Sequence, residues 1–343
     1  MIQGIDRILV LRPDGIGDAL NSTPAISALR NAYRDAHISV VLKPSGAEIL
    51  SLNPHIDEII IYDPDDLHSG VAAKLRFLSK IRAEGHDMAI ILKNSSWCNF
   101  ISYASGARYR IGRKSERKRF SSTLTDGVRS RDPKGTKHEV YRNMDVARLA
   151  GADDGISELV LRLSEDERAW AQDFIHNKGL DQASPLVGIH PGGSSFDKLW
   201  PAENFAYVAD QLAQNPGTRI ILFSGPGEDA LADKIRETMT HPPICASGIS
   251  LRQSAALNER CSLFICNDSG PMHIAAALNV PTVALFGPTD HVRWQPRSEE
   301  AVIVRRDMDC WPCSAHKCRK EFECMKSLPV DDVLDAVYSM LDT

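Results

Sequence analysis

The chain has 343 residues, 43% hydrophobic and 25% charged, enough to bury a large core and to divide into two domains. A formal net charge of -5 argues against a general nucleic-acid binder. The opening MIQGIDRILVLRPDG holds only the short apolar run ILVL, so it is read as neither a signal peptide nor a spanning segment, and the expected compartment is the cytoplasm.

Apolar, β-branched runs alternate with helix-period stretches, the pattern of parallel sheets built from βαβ units. Strands are predicted at Ile8–Arg12, Ile38–Leu42, Glu58–Tyr62 and Met88–Leu92, then at Leu186–His190, Arg219–Phe223, Leu263–Cys266, Thr282–Phe286 and Val302–Val304. Between the two series a helix is expected after Ser164, with Glu167 completing a capping box and Gly179 closing it, and the domain border falls in this region. The reading is a first domain over 1–168, a second over 184–328 and a terminal helix over 329–343. In that helix Val330, Val333, Leu334, Val337 and Leu341 share one face. Two doubly wound α/β domains in series are expected to face each other across a cleft, with ligand loops at the C-terminal ends of their strands.

Three such loops carry candidate chemistry. In VLRPDGIGDALNSTPA a dinucleotide fingerprint fails, because Leu20 stands where its third glycine belongs. The turn leaves Asp18 at a helix start, where a carboxylate serves either as a cap or as a reacting group. Thr23 followed by Pro24 offers a second candidate start, and Asp14 reads as a turn residue. In HPGGSSFDKLWP the small residues Gly193, Ser194 and Ser195 with Lys198 suit a diphosphate, although a solvated Gly/Ser turn is equally compatible. In CNDSGPMH the residues Asp268, Ser269, Gly270 and His273 open a helix with Pro271 at its first position, pointing its N-terminus at a phosphate or sugar hydroxyl. A fourth loop, SGPGED, offers Gly225 and Glu228, the latter as an acceptor for ribose hydroxyls or as an ordinary helix-start acid.

Two further segments stand out by composition. Arg108, Arg110, Arg113, Lys114 and Arg117 lie in one basic run that reads either as an anion-binding surface or as a solvated loop. Asp65 and Asp66 read as surface-loop residues, while Lys137 and His138 have no assigned place. Cys310, Cys313, Cys318 and Cys324 have the spacing C-x2-C-x4-C-x5-C, compatible with a structural zinc or iron or with free thiols. Cys98, Cys245, Cys261 and Cys266 read as small core residues.

These motifs, LVLRPDGIGDALNSTPAISALR, HPGGSSFDKLWPAENF, CNDSGPMHIAAALNVPTVALFGPTD and the cysteine-bearing tail, resemble glycosyltransferase family 9, the heptosyltransferases of lipopolysaccharide assembly, across nearly the whole chain. The resemblance implies a GT-B fold with the acceptor on the first domain, the nucleotide sugar on the second and the terminal helix returning to the first. It also implies Asp18 as general base, Lys198 as the group neutralising the departing diphosphate, and donor contacts at Asp268, Ser269, Gly270 and His273. The implied reaction is metal-independent inverting transfer of heptose from ADP-heptose to a Kdo- or heptose-bearing lipid A core, with no cofactor. The implied partners are the nucleotide-sugar donor, the anionic lipid-linked acceptor and the inner leaflet of the cytoplasmic membrane, on which the protein is expected to sit peripherally. Two other readings stay open: another nucleotide sugar used on a protein or capsule acceptor, and a nucleotide-sugar binder without transferase activity.

Overall fold

The computed structural model describes residues 2–341 except 130–132, 134, 154, 156–157, 312, 314–317 and 319. The chain forms two compact units, one of residues 1–133 and 137–162, the other of 134–136 and 163–343. The border therefore lies just before the Ser164 helix. That helix, Glu165–Asn177, has the expected capping box and belongs wholly to the second unit, where Glu167 pairs with Arg252.

In the first unit the strands are β1 (Arg7–Leu11), β2 (His37–Leu42), β3 (Glu58–Ile61), β4 (Met88–Ile91), β5 (Tyr109–Arg113) and β6 (Asp126–Val128). They form one parallel sheet in the order β3-β2-β1-β4-β5-β6. The second unit repeats the plan with β7 (Leu186–His190), β8 (Arg219–Phe223), β9 (Ile244–Ala246), β10 (Leu263–Asn267), β11 (Thr282–Phe286) and β12 (Ala301–Arg305), ordered β12-β11-β10-β7-β8-β9. Read from its own first strand, each sheet has the order 3-2-1-4-5-6 of a Rossmann fold. In each, the chain runs outward from its first strand and then returns to that strand's other side. The reversal opens a crevice at the C-terminal ends of β1 and β4, and again at those of β7 and β10.

Burial on both faces explains the near-continuous apolar strands. Alternate residues of β10 serve different cores: Leu263 and Ile265 pack with Trp200, Phe205 and Val333, whereas Phe264 and Cys266 pack with Ile175, Met272 and Phe286. The terminal helix Val330–Leu341 buries Val333 and Val337 in the first of these cores. The expected return of this helix to the first domain is thus corrected: its apolar stripe is satisfied on the second sheet. Trp200 reinforces the arrangement, donating its indole N–H to the carbonyl of Leu328 at 3.1 Å. Among the described residues no helix is long and apolar enough to cross a membrane.

Phe205 is fully buried edge-on against Trp200, ring centroids 5.0 Å apart. Truncation to alanine leaves a cavity that this rigid indole cannot fill, so Phe205→Ala should cost about 3–5 kcal/mol in urea unfolding. A loss within the error of the wild-type midpoint would show that the helix Ala202–Ala213 is not anchored in this way.

Candidate active site

In the first unit the chain leaves β1 and enters the short helix Ile16–Leu20, whose N-cap is Gly15. Asp18 is therefore the third helical residue, inside the first turn and not at the N-cap itself. A second helix, Thr23–Ala32, starts immediately afterwards, with Pro24 in its first turn. The carboxylate of Asp18 turns back onto the guanidinium of Arg12, the residue that follows β1.

Arg12 is 2% exposed and fully engaged. Its Nε donates to the main-chain carbonyl of Asp18 at 3.2 Å, Nη1 to the carbonyl of Leu92 at 2.9 Å, and Nη2 to the carboxylates of Asp18 and Glu139. Burial alone lowers the pKa of such a group, but the charges of Asp18, Glu139 and Asp14 outweigh it and hold Arg12 above its ordinary value. Glu139 is fully buried at the start of the helix Glu139–Leu149, which His138 caps by accepting from the amide of Val140 at 3.1 Å. Asp14 pairs with Lys93, whose ammonium also donates to the carbonyl of Pro13 at 3.0 Å. Arg12, Lys93 and Glu139 are thus the residues that sequence reasoning missed. The available signal was an arginine ending an apolar strand, a costly position unless paired.

The basic run is not one surface. Arg113 is corrected from acceptor contact to core: it is 6% exposed and pairs with Glu139 at 3.2 Å and with the side-chain carbonyl of Asn143 at 3.0 Å. It ends β5, a strand that the sequence reading did not predict. Arg110 is half-buried, its Nε donating to the carbonyl of Thr123 at 2.8 Å. Arg108 and Arg117 are exposed and Lys114 is half-buried. Lys137 pairs with Asp145, and Asp65 and Asp66 are exposed as expected.

In the second unit the loops after β7, β8 and β10 come together. Lys198 donates to Asp268 at 2.7 Å, and Asp268 is 5% exposed. Asn267, at the end of β10, accepts from the amide of Trp200 at 3.2 Å and donates to the carbonyl of Pro191 at 2.7 Å, fixing the β7 loop against β10. Glu228 makes the third tie: it accepts from the amides of Gly193 at 3.1 Å and Gly225 at 2.7 Å and lies 3.1 Å from Nε2 of His190. The amide of Gly193, in the loop that the sequence reading offered to a diphosphate, is therefore directed at this carboxylate instead, as is that of Gly225. A Cβ on Gly192 would stand 1.9 Å from the Glu228 carboxylate, so any larger residue there would push that carboxylate out of its place. Ser194 is exposed and Ser195 half-buried in the same loop.

The helix Gly270–Ala277 starts one residue before Pro271, with Ser269 as its N-cap. Ser269 is 8% exposed, makes no side-chain cap bond, and its buried hydroxyl has no hydrogen-bond partner among the described residues. The helix thus presents its first amides and a buried hydroxyl beside the Lys198–Asp268 pair, a donor set suited to an anion. His273 is buried in the following residues of the same helix.

Cys310, Cys313, Cys318 and Cys324 line one cavity of about 480 Å³ with Phe196, Trp311 and Phe322. Burial, reinforced by the neighbouring thiols, pushes the Cys324 thiol above its ordinary pKa. Among the described residues no three His, Cys, Asp or Glu side chains are arranged to hold a metal ion. Cys98, Cys261 and Cys266 are buried, and desolvation drives Cys98 to about 11 and Cys261 to about 12, as expected of inert core thiols.

The family model for glycosyltransferase family 9 (heptosyltransferase) matches residues 74–323. The chain belongs to this glycosyltransferase family. It is 28% identical to lipopolysaccharide heptosyltransferase 3 of Escherichia coli over 333 residues, 95% of each chain. Among solved structures, a family 9 glycosyltransferase from Veillonella parvula superposes with a TM-score of 0.87 at 28% identity, covering 99% of this chain and 98% of that one. The E. coli ADP-heptose lipopolysaccharide heptosyltransferase II superposes with a TM-score of 0.76 at 25% identity, covering 98% of each. The two Rossmann-like units of this glycosyltransferase are those of the GT-B fold.

Burial alone raises the pKa of Glu228, but the His190 contact and the amides of Gly225 and Gly193 hold it below the ordinary 4.5. A lowered carboxylate pKa stabilises the fold above 4.5, and that contribution disappears as pH falls through the folded-state value. Glu228→Gln should therefore be less stable than wild type at neutral pH by about 1–3 kcal/mol, the difference closing as the pH drops below the glutamate range. Urea titrations across that range check this, and a constant difference would contradict the role of the charge.

Proposed function

We propose that this glycosyltransferase moves heptose from ADP-heptose to the core of a lipid-linked lipopolysaccharide acceptor, with inversion at the anomeric carbon. Family membership and the heptosyltransferase names of the relatives support the donor and acceptor class. The observation that carries the donor site is the unpartnered Ser269 hydroxyl at a helix N-terminus beside Lys198. A diphosphate would satisfy that hydroxyl and the helix amides while drawing on the lysine charge.

The chemistry follows from what direct displacement needs. An acceptor hydroxyl oxygen attacks the anomeric carbon, the bond to the β-phosphate oxygen breaks, and the electron pair leaves with the nucleoside diphosphate. Asp18 takes the hydroxyl proton. Held against Arg12, its carboxylate accepts the proton as the new bond forms, when that proton has become acidic. Lys198, Ser269 and the helix Gly270–Ala277 stabilise charge on the departing diphosphate. No cofactor enters this scheme. Gly193, Gly225 and Glu228 shape the loops around the donor, with Asp268 orienting Lys198, and His273 and Gly270 belong to the same helix start. Arg108, Lys114 and Arg117 supply positive charge for an anionic acceptor, with the protein working at the inner membrane surface.

Asp18→Asn should lower kcat by roughly 10²- to 10⁴-fold. Its affinity for ADP in calorimetry should stay near wild type, and undiminished turnover would remove Asp18 from the role of base. Lys198→Ala should weaken ADP binding and turnover together. In a thermal-shift panel of ADP-, UDP-, GDP- and CMP-sugars, ADP-heptose should give the largest stabilisation; a larger shift with another base would reassign the donor.

A further inference from the structure

The helix Val71–Ala83 carries Lys74, Arg76, Lys80 and Arg82 and no acidic residue. It buries Phe77, Leu78 and Ile81 against the first sheet, yet Val71 is 76% exposed and Leu75 61% exposed. Spaced four apart, these two side chains share one face of the helix's first turns. Leu67, 61% exposed, stands in the loop just before the helix, and His68 holds that loop down with its ring 5.0 Å from Phe77 and 5.3 Å from Tyr62. Scattered exposed aliphatics are ordinary; three within nine residues, two on one helix face and one in the loop that leads into it, call for an occupant.

The charges around the patch indicate which occupant. At 100° per residue, Lys74 and Arg76 flank Leu75 on either side. Lys80 is shared with Glu58 at 3.6 Å and Glu84 at 3.9 Å, and Asp65 with Lys43 at 3.4 Å, whereas no ion pair is formed by Lys74 or Arg76 among the described residues. At the far end Arg82 donates to the carbonyl of Ala104 at 3.3 Å, from which the chain continues to the exposed Arg108. A second copy of this chain packed about a two-fold axis would set these like charges against one another. An anionic lipid surface instead takes both parts, acyl chains around the leucines and headgroup phosphates at the cations.

We propose that the N-terminal end of this helix is a membrane-docking face that inserts Leu67, Val71 and Leu75 between anionic lipids, with Lys74 and Arg76 on their phosphates. The inference rests on the reading of a lipid-linked acceptor, and gives that reading a definite contact surface.

The test is flotation of the full chain with phosphatidylcholine vesicles with and without phosphatidylglycerol, alongside a variant carrying Leu67→Ser, Val71→Ser and Leu75→Ser. Wild type should float with the anionic vesicles, less so at high salt, and the triple variant should lose at least about tenfold in bound fraction. Its thermal midpoint and its turnover of a lipid-free core oligosaccharide should be unchanged, since the replaced side chains are exposed and lie outside the donor and base sites. A triple variant that floats like wild type, wild type that ignores anionic vesicles, or a concentration-dependent dimer abolished by the same substitutions would each overturn the proposal. Flotation with no transfer to the lipid-free acceptor would instead overturn the transferase reading and leave the docking face standing.

Discussion

The first unit depends on one buried cation. A guanidinium taken out of water is costly unless carboxylates and carbonyls surround it, and Arg12 meets that condition with Asp14, Asp18 and Glu139 together with two main-chain oxygens. The same contacts aim Asp18. Neither carboxylate nor guanidinium is placed alone: Glu139 also neutralises Arg113, which in turn holds Asn143, whose amide donates to the carbonyl of Asn21 at 2.9 Å. The helix that bears the candidate base is thus tied, through charges, to a helix more than a hundred residues later.

The second unit solves a different problem, since its loops must stay open to an anion and still keep their shape. Three side chains do so from below: Asn267 fixes the β7 loop to β10, Glu228 joins the β7 and β8 loops, and Asp268 fixes the ammonium of Lys198. Positioning groups before a ligand arrives reduces the ordering cost of binding, which is where rigid sites gain affinity. Glu228 reaches in from the loop after β8, whereas Asp18, Lys198 and Asp268 follow β1, β7 and β10 in the strand order that both sheets repeat. Those strands border the two reversals of strand order.

The central strands were legible because burial on both faces demands unbroken apolar runs, as in ILVL of β1 and LFIC of β10. The strands β5, β6 and β9 were not: YRIGR carries two arginines and a glycine, and the other two are three residues long at sheet edges. Of the candidate site, Asp18, Lys198, Asp268 and Ser269 could be picked out because local turn chemistry marks a strand-to-helix loop. The partners that orient them could not. Leu92 and Glu139 lie 80 and 127 residues from Arg12, and Gly193 lies 35 from Glu228, distances over which no local pattern carries information. The same limit misassigned the terminal helix, whose stripe announced that it must be buried without saying on which sheet.

The buried hydroxyl of Ser269 leaves the hydrogen-bond inventory of the second unit incomplete. Folding removes that group from water at a cost of about 1–3 kcal/mol, and the polypeptide by itself does not return it. An anion settling on the helix start would complete the inventory, so part of its apparent affinity is stability that the fold has held in reserve. Binding of such an anion and the stability of the second unit would be linked at this one oxygen.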